Sequence, residues 1–194
     1  MANYFKLIVA IVVSELAGVI GSTAFTTGGS GSGLDWYAGL AKPALNPPAW
    51  VFGPVWTVLY ALIGISAFLI WREYDRLTLR GVAGPVIQHQ EQHSNILQNV
   101  RMLRLWKIGI AAFFTQLFLN ALWSIIFFGL HGSTWLTINS TGWALVGIVL
   151  LWLAIVWTMT VFYKISRLAA YLLVPYLLWV SFAVYLNYAI WTLN

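Results

Sequence analysis

The chain has 194 residues, of which 61% are hydrophobic and only 8% charged, with a net charge of +5. Soluble domains carry roughly 25% charged residues, so this composition excludes a water-soluble enzyme and describes an integral membrane protein. Cysteine is absent, which removes disulfides, thiolate nucleophiles and cysteine-ligated metals together.

A membrane-spanning helix needs about 20 mostly apolar residues, and five runs qualify: about 5–25, 49–71, 108–129, 143–163 and 168–191. The expected fold is an all-α bundle of five transmembrane helices in a single membrane domain. The first run has one early lysine, Lys6, and is too long for the apolar core of a cleavable signal, so it reads as a retained span. It contains Glu15, the one acid well inside a span, where a carboxylate is costly; a functional group is one reading, and a protonated or hydrogen-bonded acid is the other. Beside it, Ser14, Gly18 and Ser22, together with Ala17 and Gly21, make stripes of small residues that allow close helix approach.

After GGSGSG (28–33) comes a collar, DWYAGLAKPALNPPAWVFGPVWTVLY, running from Asp35 to Tyr60. It brings Trp36, Tyr37, Trp50, Trp56 and Tyr60 together with Pro43, Pro47, Pro48 and Pro54. Proline fixes φ and removes backbone donors, so the collar is expected to be a stiff loop rather than a helix. Indole and phenol rings combine an apolar face with one polar handle, which suits the grip of a large planar molecule at a membrane mouth. Trp56 and Tyr60, four apart, share one face of the second span.

The polar stretch 72–107 follows and is read as a basic cytoplasmic loop. In it Ile96, Leu97, Val100 and Leu103 are read as one helical face opposite Arg101 and Arg104, an amphipathic helix running into the third span. This basic segment is expected on anionic headgroups or against a cytoplasmic partner. His89 and His93 are four apart within it, but a glutamine-rich polar segment is a poor metal site, and no metal is expected. In the third span Gln116 and Asn120 are four apart, and Asn187 sits deep in the fifth. Interhelical hydrogen bonding is the common use of such amides; Asn120 is weighed equally as a ligand contact. Trp179 and Ala183 place a large ring beside a small residue, which leaves room for a planar guest.

Charge placement sets direction. Lys6, the six basic residues of 72–107, Lys164 and Arg167 all fall on one side, against Lys42 alone on the other. The positive-inside rule then puts the N-terminus in the cytoplasm, and the collar and C-terminus outside. A bacterial inner membrane is the expected setting, with a bacterial or mitochondrial outer membrane as the alternative.

The collar WYAGLAKPALNPPAWVFGPVWTVLY closely resembles that of the translocator protein family, also called tryptophan-rich sensory proteins or peripheral-type benzodiazepine receptors. QLFLNALWSIIFFG (116–129) and LLVPYLLWVSFAVYLNYAIW (172–191) are similar to the family's third and fifth helices, and TGWALVGIVLL more weakly to its fourth. The resemblance implies a five-helix bundle, usually dimeric, with a pocket closed by the first loop as a lid. It implies porphyrins, haem-like tetrapyrroles and isoquinoline-type drugs as ligands, no required cofactor, membrane lipids as surroundings and no nucleic-acid partner. Carried over by position, the pocket residues are Trp36, Tyr37, Trp50, Trp56, Tyr60, Asn120, Trp123, Trp143, Trp179, Phe182, Ala183 and Leu186. The sterol pattern found in eukaryotic members needs a basic residue after Leu186 and Tyr188, and WTLN supplies none, which argues against specific sterol binding.

Two functions follow from the resemblance. One is a membrane receptor or sensor for tetrapyrroles, with no catalytic residues. The other is light- or oxygen-dependent porphyrin degradation, for which Trp56 and Trp179 are the candidates; passage of tetrapyrroles or sterols along the bundle is a further alternative.

Overall fold

In the computed structural model the described residues are 2–26, 33–83, 89–131, 134–135 and 138–194. Helix α1 (Ala2–Thr26) is followed by the short α2 (Gly33–Gly39), a 3₁₀ turn (Ala49–Val51) and α3 (Phe52–Ala83). Helix α4 (His89–Ser124) ends in a π turn (Ile125–Gly129), and a two-residue antiparallel ladder, β1 (Thr134–Trp135) with β2 (Ile138–Asn139), leads to α5 (Ser140–Ile165). The chain closes with α6 (Arg167–Leu172) and α7 (Val174–Leu193). Among the described residues five segments are long and apolar enough to cross a bilayer: Asn3–Thr23, Ala49–Thr78, Leu97–Gly129, Ser140–Ile165 and Arg167–Leu193. The expected five-helix membrane bundle is therefore observed.

Three local expectations are corrected. The collar begins as a helix over Gly33–Gly39, because its first proline, Pro43, comes only after that helix has ended. The polar stretch is largely helical: α3 runs on to Ala83 and α4 starts at His89, so both long helices project past their apolar spans. Leu97 and Val100 are exposed, as are Arg101 and Arg104. At 100° per residue Leu97 lies between the two arginines, so there is no clean apolar face. The side chains of His89, His93 and Ile96 lie outside the described residues.

The fifth span is one helix interrupted. Pro175 has no N–H to give and its ring crowds the carbonyl four residues back, so α6 stops at Leu172 and α7 restarts at Val174. Asn139 caps α5 by accepting from the Gly142 N–H at 3.1 Å, and Ser166 caps α6 through the Ala169 N–H.

Packing of α1 on the bundle depends on glycine. A Cβ on Gly64 of α3 would stand 2.8 Å from the Ile11 nitrogen and 2.9 Å from the Ala10 oxygen. One on Gly18 of α1 would run into the Tyr60 ring, and one on Gly21 would meet the Ser124 Cβ at 3.1 Å. The small-residue stripe of α1 is thus used within the chain. Outward faces carry Phe118, Leu178 and Ile20, all exposed, as apolar side chains facing lipid are expected to be. One end of the bundle is tied by Lys6, which donates to Asp75 at 2.6 Å and lies 5.1 Å over the Trp71 ring.

Candidate functional site

At the opposite end the collar folds over the helices. Tyr37 is buried, with its ring edge-on to Phe52 and to Phe128 at 6.5 and 5.8 Å. Its hydroxyl donates to Asn46 Oδ1 at 2.8 Å. Burial raises the Tyr37 phenol above its ordinary pKa, so it stays protonated and able to donate. Lys42 closes the other side, 4.8 Å over the Tyr37 ring, while its ammonium donates to the Ala38 and Leu40 carbonyls. Trp36 stacks on His131 at 5.3 Å and meets Phe127 edge-on at 5.6 Å.

A second tie comes from the far end of the sequence. Asn194 Oδ1 accepts from the Ala41 N–H, and Asn194 Nδ2 donates to the Ala41 carbonyl, both at 3.0 Å. This two-bond clamp joins the collar to the end of α7. Asn194→Ala is expected to speed hydrogen exchange at the Ala41 amide several-fold, as the loss of about 1 kcal/mol of local protection requires. Unchanged exchange there would show that the clamp does not hold the collar.

Beneath the collar lies a cavity of about 480 Å³, within the roughly 300–1,000 Å³ typical of small-molecule sites. Its aromatic wall is built from α3 and α4. Trp56 stacks on Tyr60 with centroids 5.5 Å apart and planes at 29°, and Trp123 stands 6.5 Å from Trp56. Phe127 and Phe128 extend this wall upward to Tyr37. In a regular α-helix neighbouring residues point 100° apart; the π turn widens the helix locally, and both rings are buried and line the cavity. Helix α7 contributes Ala183, Leu186, Asn187 and Ile190, and α1 contributes Glu15, Gly18, Val19 and Ser22.

Behind the wall runs a chain of buried hydrogen bonds joining α3, α4 and α7. Tyr60 donates to Asn120 Oδ1, Asn120 Nδ2 donates to the Tyr176 hydroxyl at 2.9 Å, and Tyr176 donates to Gln116 Oε1 at 2.9 Å. A second chain runs from Trp123 Nε1 to Asn187 Oδ1 at 3.0 Å, and from Asn187 Nδ2 to the Thr141 carbonyl at 2.9 Å. Such bonds fix the rotation of each helix about its axis, and so decide which ring faces the cavity.

Of the residues expected at the site, Tyr37, Trp56, Tyr60, Trp123, Ala183 and Leu186 line the cavity together. The others stand elsewhere. Trp36 backs Phe127 from the collar, Trp50 is 75% exposed, and Asn120 lies in the hydrogen-bonded chain behind Tyr60. Trp179 packs edge-on to Phe52 and is tilted against Phe182, while Phe182 stacks on Tyr185. Trp143 is half-buried in the first turn of α5, outside the lining. The four α1 residues and Phe52, Thr57, Phe127 and Phe128 were not anticipated. Gly18 and Ser22 belong to the small-residue stripe legible beside Glu15, but nothing local says that this side of α1 faces a cavity.

The profile of the TspO/MBR family matches residues 9–192. The chain is 38% identical over 192 residues to the tryptophan-rich protein TspO of Archaeoglobus fulgidus, covering 99% of each. It is 37% identical over 164 residues to the human translocator protein, covering 84% of this chain and 78% of that one. It is 30% identical over 169 residues to the tryptophan-rich sensory protein of Cereibacter sphaeroides, covering 87% of this chain and 83% of that one.

Proposed function

The chain belongs to the TspO/MBR family, and from that premise we propose that it is a membrane receptor or sensor that binds porphyrins and related tetrapyrroles in the collar-capped cavity. One observation carries the reading: the stacked Trp56–Tyr60 pair and Trp123 form an aromatic wall on a cavity of about 480 Å³, with Tyr37 above it. A planar macrocycle against that wall replaces lipid or water contacts with offset ring stacking, worth about 0.5–1.5 kcal/mol per pair beyond the buried area. Apolar area then supplies most of the affinity and a few polar groups the orientation.

Sensing requires that the bound and free protein differ. The collar is the element able to change, because it meets the helices through ring contacts and the two-bond Asn194–Ala41 clamp. A ligand that prefers the closed arrangement shifts the population toward it. Orientation belongs to the same proposal: the N-terminus is cytoplasmic and the collar outside, from the basic residues gathered at the Lys6 end.

The test is a titration of protoporphyrin IX into the purified protein in detergent, followed by tryptophan fluorescence and porphyrin absorbance in light and in darkness. Saturable quenching is expected, and Trp56→Ala is expected to weaken binding about tenfold or more. A wild-type protein that shows no saturable quenching refutes the reading. Protein-dependent loss of the macrocycle under illumination would instead move the assignment to porphyrin degradation.

A further inference from the structure

The polar groups that line the cavity are mostly committed to the protein itself. The Tyr37 and Tyr60 hydroxyls donate to Asn46 and Asn120, and Thr57 and Ser22 donate to the backbone of their own helices. The Trp123 N–H and the Asn187 amide are spent on each other and on Thr141. Glu15 is different. Among the described residues it is the only charged one in the lining, and it makes no hydrogen bond or ion pair with any of them. The lysine on its own helix, Lys6, is engaged by Asp75 at the other end of the bundle.

An unpaired carboxylate in the lining of the same cavity as the Trp56, Tyr60 and Trp123 rings is a recognisable arrangement. Ring faces attract cations through their quadrupoles, and a carboxylate in an apolar setting lacks a counter-charge. Both effects favour the same guest, and both disfavour an anion at that spot. We propose that Glu15 makes this cavity a site for planar aromatic cations, with the ligand's protonated nitrogen at Glu15 and its rings against the Trp56–Tyr60 wall. The inference rests on the cavity being the ligand site. It adds a second ligand class and a rule of orientation: a dianionic porphyrin lies with its carboxylates turned away from α1.

The probes are 9-aminoacridine, a planar cation at neutral pH, and its uncharged analogue 9-methylanthracene, each titrated against tryptophan fluorescence with protoporphyrin IX as competitor. The wild type is expected to bind the cation about tenfold tighter than the neutral analogue, and protoporphyrin IX to displace it. Glu15→Gln is expected to erase that preference and to tighten protoporphyrin IX binding about threefold by removing a like charge. The wild-type comparison needs no variant, so a poorly folding Glu15→Gln does not spoil the test. Equal affinity for the two probes, with protoporphyrin IX still binding, overturns the role of Glu15 alone. Absence of protoporphyrin IX binding overturns the tetrapyrrole reading, whereas a cation preference that Glu15→Gln abolishes stands regardless of it.

Discussion

Gly64→Leu is expected to detach α1 from the bundle. At Gly64 the backbones of α3 and α1 touch: an added Cβ falls 2.8 Å from the Ile11 nitrogen and 2.9 Å from the Ala10 oxygen. Those are main-chain atoms, which cannot rotate aside as a side chain can. Relief requires the two helices to separate, and that loosens the Gly18–Tyr60 contact farther along the same seam and the Gly21–Ser124 contact between α1 and α4. Overpacking of a well-filled interior costs about 1–3 kcal/mol, occasionally more, and this position is at the upper end because several close contacts fail together. The measurement is the midpoint of an SDS titration followed by circular dichroism, with Gly53→Leu as control, since no neighbouring atom lies within 4 Å of a Cβ there. If both substitutions shift the midpoint equally, close α1–α3 approach is not what holds the first helix.

Asn120→Ala is expected to cost about 2–3 kcal/mol of stability and to weaken ligand binding as well. Asn120 is 1% exposed and links Tyr60 on α3 to Tyr176 on α7. Its removal leaves the Tyr60 hydroxyl buried with no acceptor, and opens space behind a ring that forms part of the cavity wall. Tyr60→Phe removes the hydroxyl while keeping the ring, so the pair should be non-additive: in the Tyr60→Phe background Asn120→Ala should cost less. Additive losses in that double-mutant cycle would sink the idea of a working Tyr60–Asn120 bond. A protoporphyrin titration of the same variants separates stability from affinity. Asn120→Ala frees the ring to move and should lower affinity more than Tyr60→Phe does.

Residue type and order made the spans legible because hydropathy is a local property: about 20 apolar residues satisfy a bilayer whatever their neighbours are. The pairing of Trp56 with Tyr60 was legible for the same reason, since a spacing of four puts two side chains on one face of any helix. The depth of Asn187 in the fifth span points to a structural role, and it sits between Trp123 and Thr141. Spacing alone leaves Asn120 between ligand and structure, and its partners Tyr60 and Tyr176 lie 60 and 56 residues away. Trp179 and Ala183 illustrate the limit of spacing arguments. Four residues apart on α7, they part company because the Trp179 ring packs on Phe52 and Phe182 while Ala183 lines the cavity.

By itself, then, the sequence determined an integral membrane protein of five spans, its family and the aromatic character of its collar. These depend on composition and on short spacings that every neighbouring helix leaves untouched. Only the tertiary structure decided which rings meet. The π turn at Ile125–Gly129 brings both Phe127 and Phe128 into the lining, the glycine contacts draw α1 in until Glu15 faces the cavity, and Asn194 reaches back to Ala41. Each of those outcomes depends on helix rotation and approach within an ångström or so, set by contacts between residues far apart in the chain.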